Sequence, residues 1–313
     1  MQYPTPPFYM TPREKAKTIF VLSFFLMLCA FIQPLQAQTE NDTTATYRVQ
    51  TSDGNEYIGQ IIHQDEEFIL LKTRTIGEIT IARINITSLS RITPEQIVNG
   101  QIWADNPQAT RYFWAPNGYG LRKGEGYYQN IWILFNQASI GISDNVSIGV
   151  GTVPLFLFAG TASPVWLTPK ISVPIVENKF NLGAGALVGS VVGEAGTGFA
   201  LAYGVGTIGS RNHNATFGLG YGYAGGDWSS TPLITLSGMT RVGKNWYLLT
   251  ENYFISVDSE TLAFLMFGSR AIIKRVGLDF GLIFPQVSDT SGDFIALPWL
   301  GFSIPFNIGG SQR

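Results

Sequence analysis

From Trp132 to the C-terminal end, short apolar runs alternate with polar turns. Phe217, Leu219, Tyr221 and Tyr223 alternate with Gly218, Gly220 and Gly222. Phe199, Leu201, Tyr203 and Val205 alternate with Ala200, Ala202, Gly204 and Gly206, and Val276, Leu278, Phe280, Leu282 and Phe284 with Gly277, Asp279 and Gly281. Period two is the signature of β-strands. In a soluble sandwich the second face would be polar, whereas here it is mostly glycine, alanine and serine. A membrane barrel with the large residues toward lipid and the glycines toward a roomy lumen accounts for both faces.

The pattern predicts an all-β protein: a transmembrane antiparallel β-barrel of about twelve strands, preceded by a small periplasmic all-β domain. The strands are expected near 111–115, 127–140, 146–158, 165–175, 180–192, 199–207, 216–223, 233–241, 246–257, 262–271, 276–284 and 295–306. An even count brings both barrel ends to one side of the membrane. Tight polar turns, such as Ser143-Asp144-Asn145, Glu177-Asn178-Lys179 and Gly243-Lys244-Asn245, are assigned to the periplasmic side. Aromatics at strand ends, among them Tyr127, Tyr128, Trp228, Trp299 and Phe306, suit an interfacial girdle.

Upstream, residues 47–92 read as five short strands with Asp53-Gly54 and Gly77 as turn signals, an SH3-like or Sm-like pattern. Thr93-Pro94-Glu95-Gln96 has the capping chemistry of a short helix ending at Gly100. The organisation expected is a secretory leader at 1–37, a polar leash at 38–46, the small β domain at 47–92, helix and linker at 93–110, and the barrel at 111–313.

The leader rests on Arg13, Lys15 and Lys17 before the uncharged apolar run Ile19–Ile32 and Leu35-Gln36-Ala37, which suits cleavage after Ala37. Cys29 lies inside that run, so the mature chain is expected to carry no thiol. Loss of Arg13, Lys15, Lys17 and Glu14 takes 20 basic and 22 acidic residues to 17 and 21, a net charge of about −4. That argues against nucleic acid as a partner. No apolar stretch after Ala37 is long enough for a membrane helix, so a membrane-inserted chain must cross with a closed barrel.

Arg111-Tyr112-Phe113-Trp114-Ala115-Pro116 and Lys123-Gly124-Glu125-Gly126-Tyr127-Tyr128-Gln129-Asn130 are the most distinctive local runs. With the leader, the small β unit and the glycine-alternating strands, the chain resembles an uncharacterised family of Gram-negative outer-membrane β-barrel proteins with a small N-terminal SH3-like/Sm-like unit. The resemblance implies the fold and an outer-membrane location, with the small domain in the periplasm, and brings no activity with it.

Candidate chemistry is sparse. Gly204-Val205-Gly206-Thr207-Ile208-Gly209 matches G-x-G-x-x-G, but a turn and a strand follow where a phosphate-binding helix is required; inward-facing strand glycines are the plainer reading. The histidines are His63 and His213, and His213, flanked by asparagines, reads as a turn residue without a partner serine. No catalytic residue, cofactor or metal site is expected, and the chain is not expected to be an enzyme. Lys170 and Asp279 share parity with small or polar residues and are assigned to the lumen, because a basic residue facing lipid at the midplane costs about 2 to 4 kcal/mol. Glu251, Trp132 and Trp166 are placed there too. The charges either tune solute selectivity or form a sealing salt-bridged cluster.

Two functions are weighed, the first as the leading reading and the second as its alternative. One is a passive channel for small solutes, since a twelve-strand barrel is wider than one of eight strands. The other is a non-conducting anchor that presents the small domain to a periplasmic envelope component. Outer-membrane lipid is the expected partner in both.

Overall fold

The computed structural model describes residues 45–92, 96–98, 101–103, 106–194, 197–257, 260–287 and 295–308. The leader and nearly all of the leash lie outside these residues. Strands β1 (Thr46–Thr51), β2 (Glu56–Gln64), β3 (Phe68–Thr73), β4 (Gly77–Ala82) and β5 (Ile86–Ile92) form an antiparallel sheet in the order β4-β3-β2-β1-β5. Gly54 and Gly77 adopt φ of +85° and +84°, so these two turn positions favour a residue without Cβ. Val49, Leu71 and Ile81 form a buried centre, covered by Tyr47, Ile79 and Leu89.

The helix expected after Thr93 begins in residues 93–95, outside the described set, but its continuation is extended. β6 (Ile97–Val98) pairs with β7 (Gln101–Ile102) through Ile97↔Ile102 and Val98↔Gln101. The expectation rested on capping residues, whereas Ile97, Val98 and Ile102 are β-branched and prefer a ladder.

The wall of the barrel comprises β8 (Glu125–Ile131), β9 (Phe135–Gly141), β10 (Val146–Thr152), β11 (Ser163–Leu167), β12 (Lys170–Val176), β13 (Phe180–Val192), β14 (Gly198–Gly209), β15 (His213–Ala224), β16 (Asp227–Trp228), β17 (Leu233–Gly243), β18 (Trp246–Val257), β19 (Glu260–Ile273), β20 (Val276–Val287) and β21 (Leu297–Asn307). β11 and β12 both pair with β10 and β13 and form one wall strand broken at Thr168-Pro169. β16 extends the end of β15. β21 pairs with β8 from Gly301↔Ile131 to Asn307↔Glu125 and closes a 12-strand antiparallel barrel.

These are not the twelve strands expected. Residues 111–115 contribute no wall strand, and at five residues they fall short of the 9–11 that span a membrane. The run expected as one strand at 127–140 is instead the hairpin β8–β9. Its turn places Trp132 and Ile133 at φ +51° and +67°, and Leu134 N–H donates to Ile131 O at 3.1 Å, the geometry of a type I′ turn. Nothing in Ile131-Trp132-Ile133-Leu134 carries the Asn-Gly or Asp-Gly signal of such a turn.

Closure pairs the backbone polar groups of the wall, the condition for crossing hydrocarbon. Phe217, Leu219 and Tyr221 on β15, Phe280 and Leu282 on β20, and Leu300 and Ile304 on β21 are exposed on the outer face. A short helix α1 (Pro154–Phe158) between β10 and β11 exposes Leu155, Phe156, Leu157 and Phe158. No helix among the described residues is long and apolar enough to cross a membrane. The molecule is a transmembrane antiparallel β-barrel of the outer-membrane type.

Strand β14 inverts the expected polarity. The ladder sets Tyr203 opposite Gly185 and Gly220, and Val205 opposite Gly183 and Gly218. Tyr203 lines the interior cavity, Val205 is buried, and Ala202 and Gly204 are exposed. Gly204 and Gly206 are therefore not the inward glycines expected. The inward glycines lie on β13 and β15, where large side chains of β14 rest on them: a Cβ on Gly185 would meet Tyr203 Oη at 2.5 Å, and one on Gly220 would meet Leu201 Cδ1 at 3.1 Å. These glycines accommodate rings and branches from the next strand rather than widening a pore.

Candidate functional site

Residues 106–121 run through the lumen as a plug, and their sequence explains why they stay there. Tyr112-Phe113-Trp114 is contiguous aromatic chain with no polar face, Pro116 cannot donate to a ladder, and Asn117-Gly118 makes a turn. Tyr112 and Phe113 are fully buried and join Met239, Tyr247, Leu249, Met266 and Trp299 in an apolar core inside the barrel. Backbone groups that find no neighbour strand must find other partners, and the wall supplies them.

Asp279 on β20 takes a bidentate contact from Arg270 on β19, Nε to Oδ1 at 2.5 Å and Nη2 to Oδ2 at 2.9 Å. Arg111 on the plug approaches the same carboxylate, Nη1 to Oδ2 at 3.1 Å. All three groups are at most 2% exposed. Each guanidinium also serves the plug backbone. Arg270 donates to Gln108 O and Tyr112 O, at 2.9 and 2.5 Å, and Arg111 Nη1 to the carbonyls of Tyr112 and Phe113, both at 2.8 Å. A planar fork of donors suits this work better than an ammonium.

Glu251 on β18 is fully buried and accepts the backbone N–H of Trp114 at 2.9 Å and of Ala115 at 3.0 Å, together with the Tyr253 hydroxyl. Lys170 on β12 donates from Nζ to Tyr119 O at 2.6 Å. Thr207 on β14 accepts from Gly118 N–H at 2.7 Å, Gln129 on β8 donates to Phe113 O at 2.8 Å, and Tyr112 Oη lies 2.6 Å from both Asn214 and Thr216. Three residues singled out in the sequence, Lys170, Glu251 and Asp279, thus meet different parts of one buried segment.

Trp166 is buried on β11, where its Nε1 donates to Gln137 at 2.9 Å. Trp132 lies in the β8–β9 turn, 38% exposed, with Nε1 donating to Pro298 O at 2.9 Å. They belong to one aromatic group at the tip of the plug: Trp132 lies 5.1 Å from Trp299, Trp299 5.7 Å from Phe113, and Trp114 6.2 Å from Trp166. Sequence reasoning missed Arg270, because its neighbours Ser269 and Ala271 give no clean parity, and missed the role of Arg111, taken as the start of a wall strand.

The plug is fastened in the half of the barrel nearest the tight turns, through Thr207, Gly209 and Asn214. On its other side lies a cavity of about 140 Å³ lined by Leu187, Leu201, Gly220 and Leu233 from the loop-side halves of their strands, with Arg111 and Lys170. Among the described residues no group of three or more His, Cys, Asp or Glu is placed to hold a metal ion.

No family model matches the chain, and no curated protein matches it. Among solved structures it is similar to OmpTdeltaL8, a loop L8 deletion mutant of OmpT, an outer membrane protein of Vibrio cholerae, at 12% identity and TM-score 0.32 over 84% of this chain and 96% of that one. It is similar also to outer-membrane expressed OmpT of Vibrio cholerae, at 11% identity and TM-score 0.30 over 84% and 94%. One expectation is corrected here. The exclusion of enzymatic activity is withdrawn, because a likeness to OmpT outer-membrane proteins at this distance neither shows an activity nor excludes one. The histidine argument behind that exclusion was also too narrow, since carboxylate and lysine nucleophiles need no histidine.

Proposed function

We propose that this protein is an outer-membrane barrel held closed by its own residues 106–121, a non-conducting anchor at rest for the small sheet at 46–92. The observation that carries this reading is the buried Arg111–Asp279–Arg270 group, which ties the plug to two wall strands by charge and by carbonyl acceptors together. Breaking a buried pair by removing one partner costs about 3 to 5 kcal/mol, so loss of Asp279 is expected to loosen the plug. The small unit is read as an SH3-like/Sm-like periplasmic domain that meets an envelope component, after export by the leader at 1–37 in a Gram-negative cell. Its sheet order β4-β3-β2-β1-β5 is the feature that speaks for the small-barrel part of that reading alone.

Planar-bilayer recording of the refolded protein tests the closed state. The expected outcome is no steady conductance from the parent and channel openings from Asp279→Ala. A steady open-pore conductance in the parent would overturn the reading. A second reading, a small-solute channel gated by release of the plug, is favoured by the cavity on the loop side, and would show as openings that appear only when a solute is added.

A further inference from the structure

We propose that the cavity on the loop side of the plug binds a small organic anion: a monocarboxylate about the size of a benzene ring, its head on the free donors of Arg111, with Lys170 as the other cation of the lining, and its body against Leu187, Leu201 and Tyr203. The proposal rests on the plugged-barrel reading, because the plug forms the floor of this cavity.

The charge balance points to an anion. The charged residues lining the cavity, among those described, are Arg111 and Lys170. The acids nearest the plug are already engaged: Asp279 is shared between two guanidinium groups, and the Glu251 carboxylate takes two backbone N–H groups and the Tyr253 hydroxyl. Arg111, Arg270 and Lys170 against Asp279 and Glu251 leave one net positive charge among these five groups. Arg111 is 2% exposed, yet its Nε and Nη2 have no hydrogen-bond partner among the described residues. The Tyr127 ring, 5.4 Å from Arg111 Cζ, offers its face to the guanidinium but no lone pair in the plane of the N–H groups. Among the described residues Lys170 makes one hydrogen bond, to Tyr119 O, from an ammonium with three donors. Buried cationic donors without acceptors are costly, and a carboxylate matches the fork of an arginine.

The size points to a small body. A cavity of about 150 Å³ with apolar walls takes up benzene, and this one, at about 140 Å³, is lined by leucines and tyrosines together with Gln137, Ser139, Thr168 and Thr235. A free inorganic anion leaves the apolar part of the wall uncovered.

The test uses the full chain refolded in lipid nanodiscs, with benzoate as probe and benzamide as its neutral counterpart, read by calorimetry and by ligand-observed NMR. Benzoate is expected to bind at least tenfold more tightly than benzamide. Lys170→Met should weaken benzoate alone, and Leu201→Trp, which fills the cavity, should abolish both. Equal binding of the two probes, no binding of either, or benzoate binding untouched by both substitutions overturns the proposal. Conductance recorded on the same preparation separates the two failures: a closed barrel that ignores benzoate refutes the site alone, whereas an open pore refutes the plug.

Discussion

Arg111 and Asp279, 168 residues apart in sequence, meet inside the barrel at 3.1 Å, with side chains 2% and 1% exposed. The contact joins a segment that forms no wall strand to the first half of β20, and Arg270 completes it from β19. Asp279→Ala leaves two guanidinium groups buried without their acid. It is expected to destabilise the closed barrel by about 3 to 5 kcal/mol, read as a lower urea midpoint for folding into lipid vesicles. Arg111→Met should cost less, because Arg270 keeps its bidentate partner.

Glu251 gives a second test of the plug. Glu251→Ala strands the N–H groups of Trp114 and Ala115, each worth about 1 to 3 kcal/mol when buried unpaired. Proteolysis should then cut near Trp114 in the variant and not in the parent; identical resistance would count against the plug's dependence on this carboxylate.

The glycines divide by what faces them. A Cβ at Gly185 would fall 2.6 Å from Pro169 O and 2.8 Å from Tyr203 Cζ, whereas a Cβ at Gly204 meets nothing within 4 Å. Gly185→Val is therefore expected to abolish folding into vesicles. Gly204→Ala should leave the folding midpoint within about 0.5 kcal/mol of the parent. A severe loss in Gly204→Ala would mean that the inward and outward faces of β14 have been exchanged.

Placing charge on the outer face tests the membrane assignment itself. Leu219 is exposed near the middle of β15. Leu219→Arg should cost about 2 to 4 kcal/mol in lipid and almost nothing in detergent micelles, where the side chain reaches water. Equal stability in both media would argue that this face does not meet hydrocarbon.

Period-two alternation on its own specified the class of fold, because a strand repeats its faces every second residue whatever surrounds it. It also gave most wall strands from 180 onward, where polar residues at Asn178, Lys244-Asn245 and Lys274-Arg275 interrupt the alternation. Alternation cannot say which face looks inward. On β15 the rings face lipid and on β14 they face the lumen, because the choice depends on whether the neighbouring strands offer glycines opposite them, a property of register. The β8–β9 turn was illegible because Trp132-Ile133 adopts left-handed backbone with none of the usual residues, held by Trp132 Nε1 on Pro298 O and Ile133 N–H on Asn130. The plug was illegible for a related reason. Arg111 to Pro116 looks like edge-of-membrane chain until Asp279, Arg270 and Glu251, all more than 130 residues away in sequence, converge on it. Local sequence determined that strands would form and close; only the closed barrel decided that its centre would be filled by the chain's own residues, since buried charges and carbonyls find their partners in space and not along the chain.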